Sequence, residues 1–592
     1  MEEKMKKLIS GILCAVMLLA LAACNGGGGG TSNGNSTSSP SGNSGSFPDS
    51  AKAKTVLNVQ NFPGGIGTEW LRKAAVRFEE ANKDKHYEGD KTGVYVNVVA
   101  SQPDSNSLAG SAYHVIFDER YTSVYSIAKN NTVISLDDIM KEVGADGKSL
   151  ESKIDPATLE GLKGPDGKYY ALPHYEWFPG VTYDKGAFDK NNWYIAKDAA
   201  NGGAVTNKFG TIYLAKNKEG RSCGPDGVYG TDDDGLPTSL KELLVLCGEI
   251  KKKTKDGPFT LTGAHLYYSN YLEEALWAAL AGKDELRAVY DLSGSVDVVT
   301  GYSETEELFY TGSGIKKPIV ETKTINKDNG NLAFESAARY YAVSFIEVLK
   351  KEGFFHSDIN KTKSHIEAQN SFIYGGTDSQ TPPRAFLIEG SYWYNESVEA
   401  NNFENYSDVT DESEKDARFM SLPTSLDVSA TPVATEADAI KPSLIDGAVA
   451  YAYINAKYKN ETGVIDACKD FLKFLYSDAE LRAFTAMTGV TRPIDYTLST
   501  AEYNGLSVYQ QKVYELSRKS DVLYFSSANP VFKANQSALK VHFSARIMQP
   551  KINNVQYESC YQALAANKTA AQIFDATKFT SEEWTRILNN QG

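Results

Sequence analysis

Cysteine is scarce in this sequence of 592 residues, which contains only six. No two cysteines form a C-x-x-C pair and none has a histidine close to it in sequence, so their spacing is not that of a zinc site. The four cysteines beyond residue 24 are too scattered for a disulfide framework. For Cys223 and Cys247 two alternatives stay open: a disulfide formed outside the cell, or two buried free thiols.

Excess positive charge and catalytic signatures are lacking as well. The 61 lysine and arginine residues are outnumbered by 75 aspartate and glutamate residues, which gives a net charge of -14. Surfaces that bind nucleic acid are rich in Lys and Arg, so this balance argues against such a partner. No H-E-x-x-H motif occurs, and the glycine turn at residues 64–67 lacks the spacing of a phosphate-binding loop. The sequence therefore shows no signature of an enzyme.

The first residues have the pattern of a secretory signal. Three lysines within residues 4–7 precede an apolar run over residues 8–20, which is shorter than the roughly 20 residues that span a bilayer. The run closes on Leu21, Ala22, Ala23 and Cys24, which resemble the bacterial lipobox, whose cysteine becomes the lipidated first residue. We predict a signal peptide over residues 1–23 and a lipid such as palmitate on Cys24. The alternatives are an uncleaved anchor or a cysteine that stands there by chance.

A polar segment follows the predicted lipidation site. Residues 24–54 are dominated by Gly, Ser, Asn and Thr, a composition that cannot bury a core. We expect a disordered tether that reaches roughly 25–30 Å and holds the folded body away from the membrane.

The body opens with alternating strand and helix patterns. Short apolar runs predict buried strands at residues 56–59, 94–99 and 115–117. Apolar residues at helical spacing from Trp70 onward predict a helix between the first two strands. This order indicates a parallel sheet, whose ligands bind at the carboxyl ends of the strands. Gly65, Glu119 and Arg120 are therefore candidate ligand contacts.

Six segments of the body carry motifs in a fixed order. They are the turn and helix at 64–82, the strand at 114–118, Tyr-Ala-Leu-Pro through Tyr-Asp-Lys at 170–185, Gly-Leu-Pro-Thr at 235–238, the strand and Trp at 385–393, and the helix at 467–478. In this order they resemble the extracellular solute-binding proteins of bacterial ABC importers, of the family 1 sugar-binding type related to maltose-binding protein. The resemblance covers residues 55–500, and His114 departs from the family's Asp.

The resemblance implies an α/β fold of two lobes, the type II periplasmic-binding-protein-like fold. Each lobe is expected to be a mainly parallel sheet flanked by helices, with a hinge and a central cleft for the solute. By similarity, lobe one comprises residues 55–175 and 384–440, and lobe two comprises residues 176–383 and 441–592. The chain is longer than the family norm near residues 185–235, 300–330 and after 500.

Carbohydrate binding needs flat apolar faces for the sugar ring and polar groups for its hydroxyls, and 35 Tyr and six Trp supply the faces. Trp393 is the first candidate, because the family's Trp in this segment stacks on sugar, and Glu389 lies just before it. The alternative for Trp393 is packing in the core. The other candidate contacts are Tyr175, Glu176 and Trp177 at the crossover between lobes, Tyr268 on a helix face, and Arg492 in a loop.

An Asp-rich, Gly-rich loop occupies residues 224–235. Clustered carboxylates suit Ca²⁺, which takes about six to eight oxygen ligands, although the spacing is not that of an EF-hand. The resemblance also points here, since some long sugar-binding members hold calcium near this position. Asp226, Asp232 and Asp234 are the candidate ligands of a structural Ca²⁺, and the alternative is a plain acidic turn.

These observations together predict a lipid-anchored receptor on the extracellular face of a bacterial cell membrane. By the resemblance, it captures a carbohydrate, an oligosaccharide, in the cleft and delivers it to the transmembrane subunits of an ABC permease. We expect a monomer with no enzymatic activity, no required cofactor and no nucleic-acid partner. Two alternatives stay open: a receptor for a peptide or other non-sugar solute, because fold does not fix the ligand, and a secreted glycoside-active lipoprotein.

Overall fold

Two mixed sheets organise the body of the chain, residues 50–592, in the computed structural model. The structure describes residues 48–119, 123–144, 146–361, 363–378, 381–410, 412, 414–448, 450–524, 528–539 and 546–589. The predicted signal peptide, Cys24, most of the predicted tether and Arg120 lie outside the described residues.

Short strands alternate with helices along the whole body. The strands are β1 Thr55–Asn61, β2 Val94–Ala100, β3 Val115–Asp118, β4 Leu172–Pro173, β5 Pro179–Asp184, β6 Gly202–Asn207, β7 Gly210–Ala215, β8 Phe259–Thr260, β9 Gly294–Glu307, β10 Lys316–Ile325, β11 Phe386–Gly390, β12 Ala417–Phe419, β13 Ser443–Ile445, β14 Tyr451–Ile454, β15 Asp521–Leu523, β16 Lys551–Ile552 and β17 Val555–Gln556. The α-helices are Glu69–Ala81, Val124–Lys129, Asp137–Lys141, Pro156–Gly161, Lys185–Asn191, Leu240–Thr254, Ser269–Asp291, Ala337–Lys351, His365–Tyr374, Trp393–Glu399, Asn402–Ser407, Thr462–Leu475, Asp478–Thr488, Thr500–Asn504, Val508–Lys519, Pro530–Ala534, Gln536–Leu539, Cys560–Ala565, Ala570–Ala576 and Ser581–Asn589.

The first lobe is built on a sheet with the strand order β2–β1–β3–β14–β4. β1 runs parallel to β2 and β3, while β14 runs antiparallel to β3 and β4. The helix Glu69–Ala81 buries Trp70, Ala74 and Phe78, which recur at the spacing of one helix face. The strands and the helix that the sequence predicts at the start of the body are therefore confirmed.

The second lobe is built on a sheet with the order β12–β5–β11–β8. β5 pairs antiparallel with both β11 and β12, and only β11 and β8 run parallel. The two-lobe α/β architecture thus agrees with the prediction, but the expectation of a mainly parallel sheet is wrong for this lobe. β5, which the chain enters from the first lobe, therefore runs opposite to both of its neighbours, β11 and β12.

The predicted division of the chain between lobes needs a correction. Residues 384–440 contribute β11 and β12 to the second sheet, and not to lobe one as predicted. Conversely, β14 lies within the segment 441–592 assigned to lobe two, but it pairs with β3 and β4 of the first sheet. An apolar run indicates that a strand is buried, but it does not indicate which of two sheets the strand joins.

Within the part of the chain that the structure describes, three connections pass between the lobes, at residues 174–178, 446–450 and 489–507. The third leads from the helix Asp478–Thr488, where Phe484 packs on Trp70 of the first lobe with ring centroids 5.0 Å apart. It ends at the helix Val508–Lys519, where Tyr509 packs on Trp393 of the second lobe at 5.4 Å. The chain therefore enters the body in the first lobe and leaves it in the second.

The regions predicted to exceed the family norm carry their own structure. β6 and β7 form one antiparallel hairpin, and β9 and β10 form a longer one. Beyond residue 500, the helix Ala570–Ala576 packs on the helix Ala337–Lys351, with Phe574 and Tyr340 ring centroids 5.4 Å apart. These additions are thus attached to the second lobe.

Two expectations about cysteines and membranes can be compared with the described residues. Cys223, Cys247, Cys468 and Cys560 are all buried and unpaired, so Cys223 and Cys247 are free thiols and not a disulfide. Within the described ranges, no helix has both the length and the apolar character needed to cross a membrane.

Candidate binding cleft

The ends of three strands bring the two lobes together. β1 leads into the turn at residues 62–67, and β3 leads into Glu119, both in the first lobe. β11 leads into the helix Trp393–Glu399 in the second lobe. In sheets of this kind, loops beyond the carboxyl ends of the strands form the ligand crevice. The contacts between these loops therefore define the candidate binding cleft.

The glycine turn touches the helix of the opposite lobe. The Gly65 N–H donates a hydrogen bond to the Glu396 carboxylate. A Cβ atom added at Gly67 would lie only 2.1 Å from Glu399 Oε1. Gly65 and Gly67 have φ values of 64° and 65°, in the left-handed region that glycine adopts at little cost. The turn thus needs glycine for its backbone, whereas the contact with Glu399 could be relieved by rotation of that exposed side chain.

Glu119 and Tyr175 form the first-lobe wall of the cleft. The Tyr175 hydroxyl donates to Glu119 Oε2 at 2.7 Å, and Glu119 Oε1 lies 3.5 Å from His174 Nε2. Burial raises the pKa of Glu119 to about 8, against the lowering effect of the Tyr175 hydrogen bond. Burial and then the charge of Arg492 hold the pKa of His174 well below its usual value. At neutral pH this wall therefore presents a mostly protonated acid and a neutral imidazole, not an ion pair.

The crossover at residues 174–178 is fixed from both lobes. Thr491 and Tyr524 hydroxyls donate to the two oxygens of the Glu176 carboxylate. The backbone N–H of Trp177 donates to Asp446 Oδ1 at 3.2 Å, and this hydrogen bond joins the first connection between the lobes to the second. The predicted candidates Tyr175, Glu176 and Trp177 are thus brought to the hinge side of the cleft.

Glu389 and Glu396 form a pair of buried acids on the second-lobe wall. Gln369 Nε2 donates to Glu396 Oε2 at 2.9 Å, and His365 Nε2 lies 3.6 Å from the same oxygen. Burial, and then the charge of Glu396, hold the pKa of Glu389 well above its usual value. Burial raises the pKa of Glu396 to about 7. The pair therefore retains at least one proton at neutral pH.

An aromatic wall lies beside these acids. The Trp177 ring centroid is 5.3 Å from that of Tyr271 and 5.0 Å from that of Tyr392, and the two tyrosine hydroxyls are 3.1 Å apart. Tyr268, a predicted contact, packs on Tyr271 at 4.9 Å and lies 6.1 Å from His365. These rings belong to both the crossover and the second lobe. In this arrangement the rings are buried against one another, beside the acids of the second-lobe wall.

Trp393, the first candidate of the sequence analysis, does not face the cleft. It is fully buried, and its indole N–H donates to Thr182 Oγ1 at 3.0 Å. Its ring packs on Phe372, Phe403 and Tyr509 in a separate apolar cluster of the second lobe. The prediction that Trp393 stacks on a ligand is therefore wrong, because its faces are already packed in the core.

Arg492 is likewise an interior residue. Its guanidinium carbon lies 4.3 Å from the Tyr476 ring centroid, 4.4 Å from that of Phe484 and 5.2 Å from that of Trp70. The side chain has no exposed surface. It supports the first-lobe wall from behind and does not reach the cleft in this arrangement, contrary to the prediction.

The carboxylates of the Asp-rich loop mostly serve the loop itself. Asp226 Oδ1 accepts from the Val228 N–H at 2.7 Å, and Asp234 Oδ2 accepts from the Gly230 N–H at 2.8 Å. Asp232 points outward, 3.6 Å from Lys512 Nζ and with its side chain 68% exposed. In the part of the chain that the structure describes, no three His, Cys, Asp or Glu side chains are placed to hold a metal. The three predicted ligands do not converge here, and calcium binding stays a prediction.

Several cleft residues escaped the sequence analysis. They are His174, His365, Gln369, Tyr392, Glu396, Asp446, Tyr451 and Tyr524. Glu396 could have been predicted from the sequence. It lies about one helical turn after Trp393, the residue that follows the predicted strand, and so on the same face of the helix. The others follow no local pattern, because tertiary pairing brings them to the cleft.

Comparisons with known proteins bear on the fold. No protein-family model matches the sequence, and neither does any curated protein. A solved chitin oligosaccharide binding protein superposes with a TM-score of 0.51 and 14% identity, over 91% of this chain and 100% of that one. This likeness shows that the chain shares the fold of that protein. The GacH receptor of Streptomyces glaucescens has a TM-score of 0.48 with 14% identity, over 90% of this chain and 99% of that one. A probable secreted solute-binding lipoprotein from Streptomyces coelicolor has a TM-score of 0.49 with 13% identity, over 90% and 98%.

Proposed function

We propose that this protein is the solute-binding component of a bacterial ABC importer that captures a carbohydrate, an oligosaccharide, between its lobes. The observation that carries the proposal is the grouping of side chains at the junction of the lobes, where the rings of Trp177, Tyr271 and Tyr392 lie beside the acids Glu389 and Glu396. Flat rings bind the C–H face of a sugar, and protonated acids both donate to and accept from hydroxyls. A chitin oligosaccharide binding protein of the same fold supports the choice of ligand class.

The proposal includes a cellular setting. The body is held at the extracellular face of the cell membrane by lipid on Cys24, acts as a monomer, and delivers its ligand to the transmembrane subunits of the permease. The support is the lipobox-like sequence Leu21, Ala22, Ala23 and Cys24 and the polar segment after it. The protein is proposed to have no catalytic role, no required cofactor and no nucleic-acid partner.

Thermal unfolding with a panel of mono- and oligosaccharides tests the ligand class. A ligand that binds only the folded state raises the unfolding midpoint, and one at about 100 times its Kd stabilises by roughly 2.7 kcal/mol. We expect Tyr268→Ala to abolish the ligand-induced rise, because Tyr268 belongs to the aromatic wall. The matched control is Tyr229→Ala, at a tyrosine that is 50% exposed in the Asp-rich loop.

The same preparations separate the alternatives. A rise in midpoint with peptides and none with any carbohydrate would replace the sugar receptor by a non-sugar receptor on the same scaffold. Release of reducing ends from polysaccharide, lost in Glu389→Gln, would establish a glycoside-active protein instead.

Anchoring is tested by Cys24→Ala. A single acyl chain binds a membrane only marginally, whereas the two or more chains of a lipoprotein anchor it stably. In detergent phase partitioning, the wild type should enter the detergent phase and the variant the aqueous phase. Equal partitioning of the two proteins would contradict the lipid anchor.

A further inference from the structure

A small pocket opens beside the hinge, separate from the aromatic wall. Its lining includes the side chains of Tyr175, Tyr451, Tyr524 and Asp446, with Pro173 and Pro493 at its edges. The three tyrosines come from three different segments: the crossover at residues 174–178, the start of β14, and the residue after β15. The pocket thus combines three aromatic side chains with one carboxylate.

Asp446 is held in this pocket by backbone groups. Its Oδ1 accepts from the Trp177 N–H at 3.2 Å and from the Ala448 N–H at 2.9 Å. The residue is only 5% exposed. Both hydrogen bonds go to one oxygen, so an asparagine side chain could accept them equally well. The hinge therefore uses Asp446 as an acceptor but makes no use of its negative charge.

An ionised Asp446 would have no counter-ion in the surroundings that the structure describes. Among the described residues, no lysine, arginine or histidine nitrogen forms an ion pair with Asp446. The charges that act on it are those of Glu176 and Glu274, which are also negative, and Arg518 acts on Glu176. Burial, and then these neighbours, hold the pKa of Asp446 well above its usual value. Asp446 is therefore held protonated in the ligand-free protein, and a cation brought to it would favour its ionised form, with the proton released to solvent.

We infer that the pocket of Asp446, Tyr175, Tyr451 and Tyr524 receives an ammonium group of the ligand. This inference rests on the proposed sugar-binding function, and it makes the solute an amino sugar. A buried carboxylate gives a charge-assisted hydrogen bond to an ammonium group. Tyrosine faces attract a cation through the ring quadrupole, most strongly where water is excluded. A neutral sugar hydroxyl gains neither the charge interaction nor the cation–π interaction.

Calorimetric titration of the full-length protein with matched sugars tests the inference. The probes are glucosamine and glucose, together with the β-1,4-linked oligomers of each, which differ by an ammonium group in place of a hydroxyl. A charged hydrogen bond contributes roughly 1.5–3 kcal/mol, so the amino member of a pair should bind about 10- to 100-fold more tightly.

Asp446→Asn is the decisive variant, because it keeps the acceptor for the backbone N–H groups of Trp177 and Ala448 but cannot form the carboxylate that would bind an ammonium group. It should bind the amino sugar about 10- to 100-fold more weakly and the neutral partner unchanged. Tyr451→Leu should weaken amino-sugar binding by roughly 2- to 30-fold, whereas Tyr451→Phe keeps the ring and the affinity.

The outcomes are distinct. If neutral members of the pairs bind as tightly as the amino members, the inference is overturned and the sugar receptor stands. If the amino preference survives in both Asp446→Asn and Tyr451→Leu, the ammonium site lies elsewhere and the inference is again overturned. If neither these pairs nor the wider carbohydrate panel binds, the proposed function itself is wrong, and the inference, which rests on it, is wrong as well.

Discussion

Two tryptophans, both predicted to contact ligand, have different places in the molecule. Trp177 and Trp393 are each at least 95% buried, so burial alone does not distinguish them. The partners of Trp393 all belong to the second lobe, including Thr182 of β5 and Tyr509. Trp177 itself lies on a connection between the lobes, and its backbone N–H donates to Asp446 on a second connection, although its ring packs on Tyr271 and Tyr392 of the second lobe.

The difference shows that a buried residue belongs to a cleft when its neighbours come from elements that can move apart. Trp393 is surrounded by one rigid unit, so its burial stabilises that unit. Trp177 lies on a connection between the two lobes, so its surroundings depend on how the lobes are arranged. The following predictions test this contrast, from the largest expected effect to the smallest.

Removing the core tryptophan should have the largest effect. Trp393→Ala leaves a cavity among Phe372, Phe403 and Tyr509 and should lower the free energy of unfolding by about 3–5 kcal/mol. Urea unfolding of the ligand-free protein measures this loss. The fraction that remains folded should bind ligand with unchanged affinity, and lost affinity at unchanged stability would return Trp393 to the cleft.

Glu119 should make the stability of the first-lobe wall depend on pH. Its pKa is raised from an ordinary value of 4.5 to about 8, so the folded protein keeps a proton that the unfolded chain releases. The stability that this proton contributes is full below pH 4.5 and is lost as pH rises to about 8, by at most about 1.4 kcal/mol per pH unit.

Glu119→Gln tests this dependence, because glutamine can still accept from the Tyr175 hydroxyl. Urea unfolding at a series of pH values should show a smaller fall in stability between pH 4.5 and 8 in the variant than in the wild type. Glu404→Gln, at an exposed helix position, should leave the wild-type fall unchanged. An identical fall in Glu119→Gln would show that Glu119 is ionised throughout.

Local signals in the sequence account for part of this cleft. β1, the helix Glu69–Ala81, Gly65 and Glu119 were predicted because apolar periodicity marks each element and the end of a strand marks each candidate. The two-lobe architecture and the crossover residues followed from the order of the motifs. Where in the cleft a ligand sits was not predicted.

The failures have a physical cause. Trp393 was assigned to the cleft wrongly because an apolar strand followed by a tryptophan has the same sequence pattern whether the tryptophan packs in a core or lines a cleft. Asp446 was missed because its partner Trp177 lies 269 residues away in sequence, and only the pairing of β13 with β15 and of β14 with β3 brings them together. The lobe assignment of residues 384–440 failed for the same reason.

Gly67 tests the contact between lobes against a matched glycine. Gly67→Ala and Gly89→Ala both place alanine in the left-handed region, at φ values of 65° and 46°, which costs about 1–2 kcal/mol each. Only at Gly67 would the new Cβ meet the opposite lobe, 2.1 Å from Glu399 Oε1, since nothing lies within 4 Å at Gly89. Because the exposed Glu399 side chain can rotate away, we expect Gly67→Ala to weaken ligand binding only slightly and Gly89→Ala to leave it unchanged. Equal affinities in the two variants would show that this contact does not influence binding.

The smallest expected effect is spectroscopic. Because Trp177 lies between the lobes, its emission should change when a ligand alters their arrangement, whereas that of Trp393 should not. Fluorescence titration of Trp177→Phe should therefore lose the ligand-induced change that Trp393→Phe retains. The reverse result would contradict the contrast between the two tryptophans.

The number of connections between the lobes has a mechanical consequence. Because the chain passes between the lobes an odd number of times, its two ends emerge from different lobes. A force applied through the residues before Thr55 holds only the first lobe, on which β1 lies. The second lobe, which carries the added hairpins and the last helices, is then free to move relative to the first. If the chain is held at the proposed lipid on Cys24, the larger second lobe is therefore the part that moves relative to the attachment.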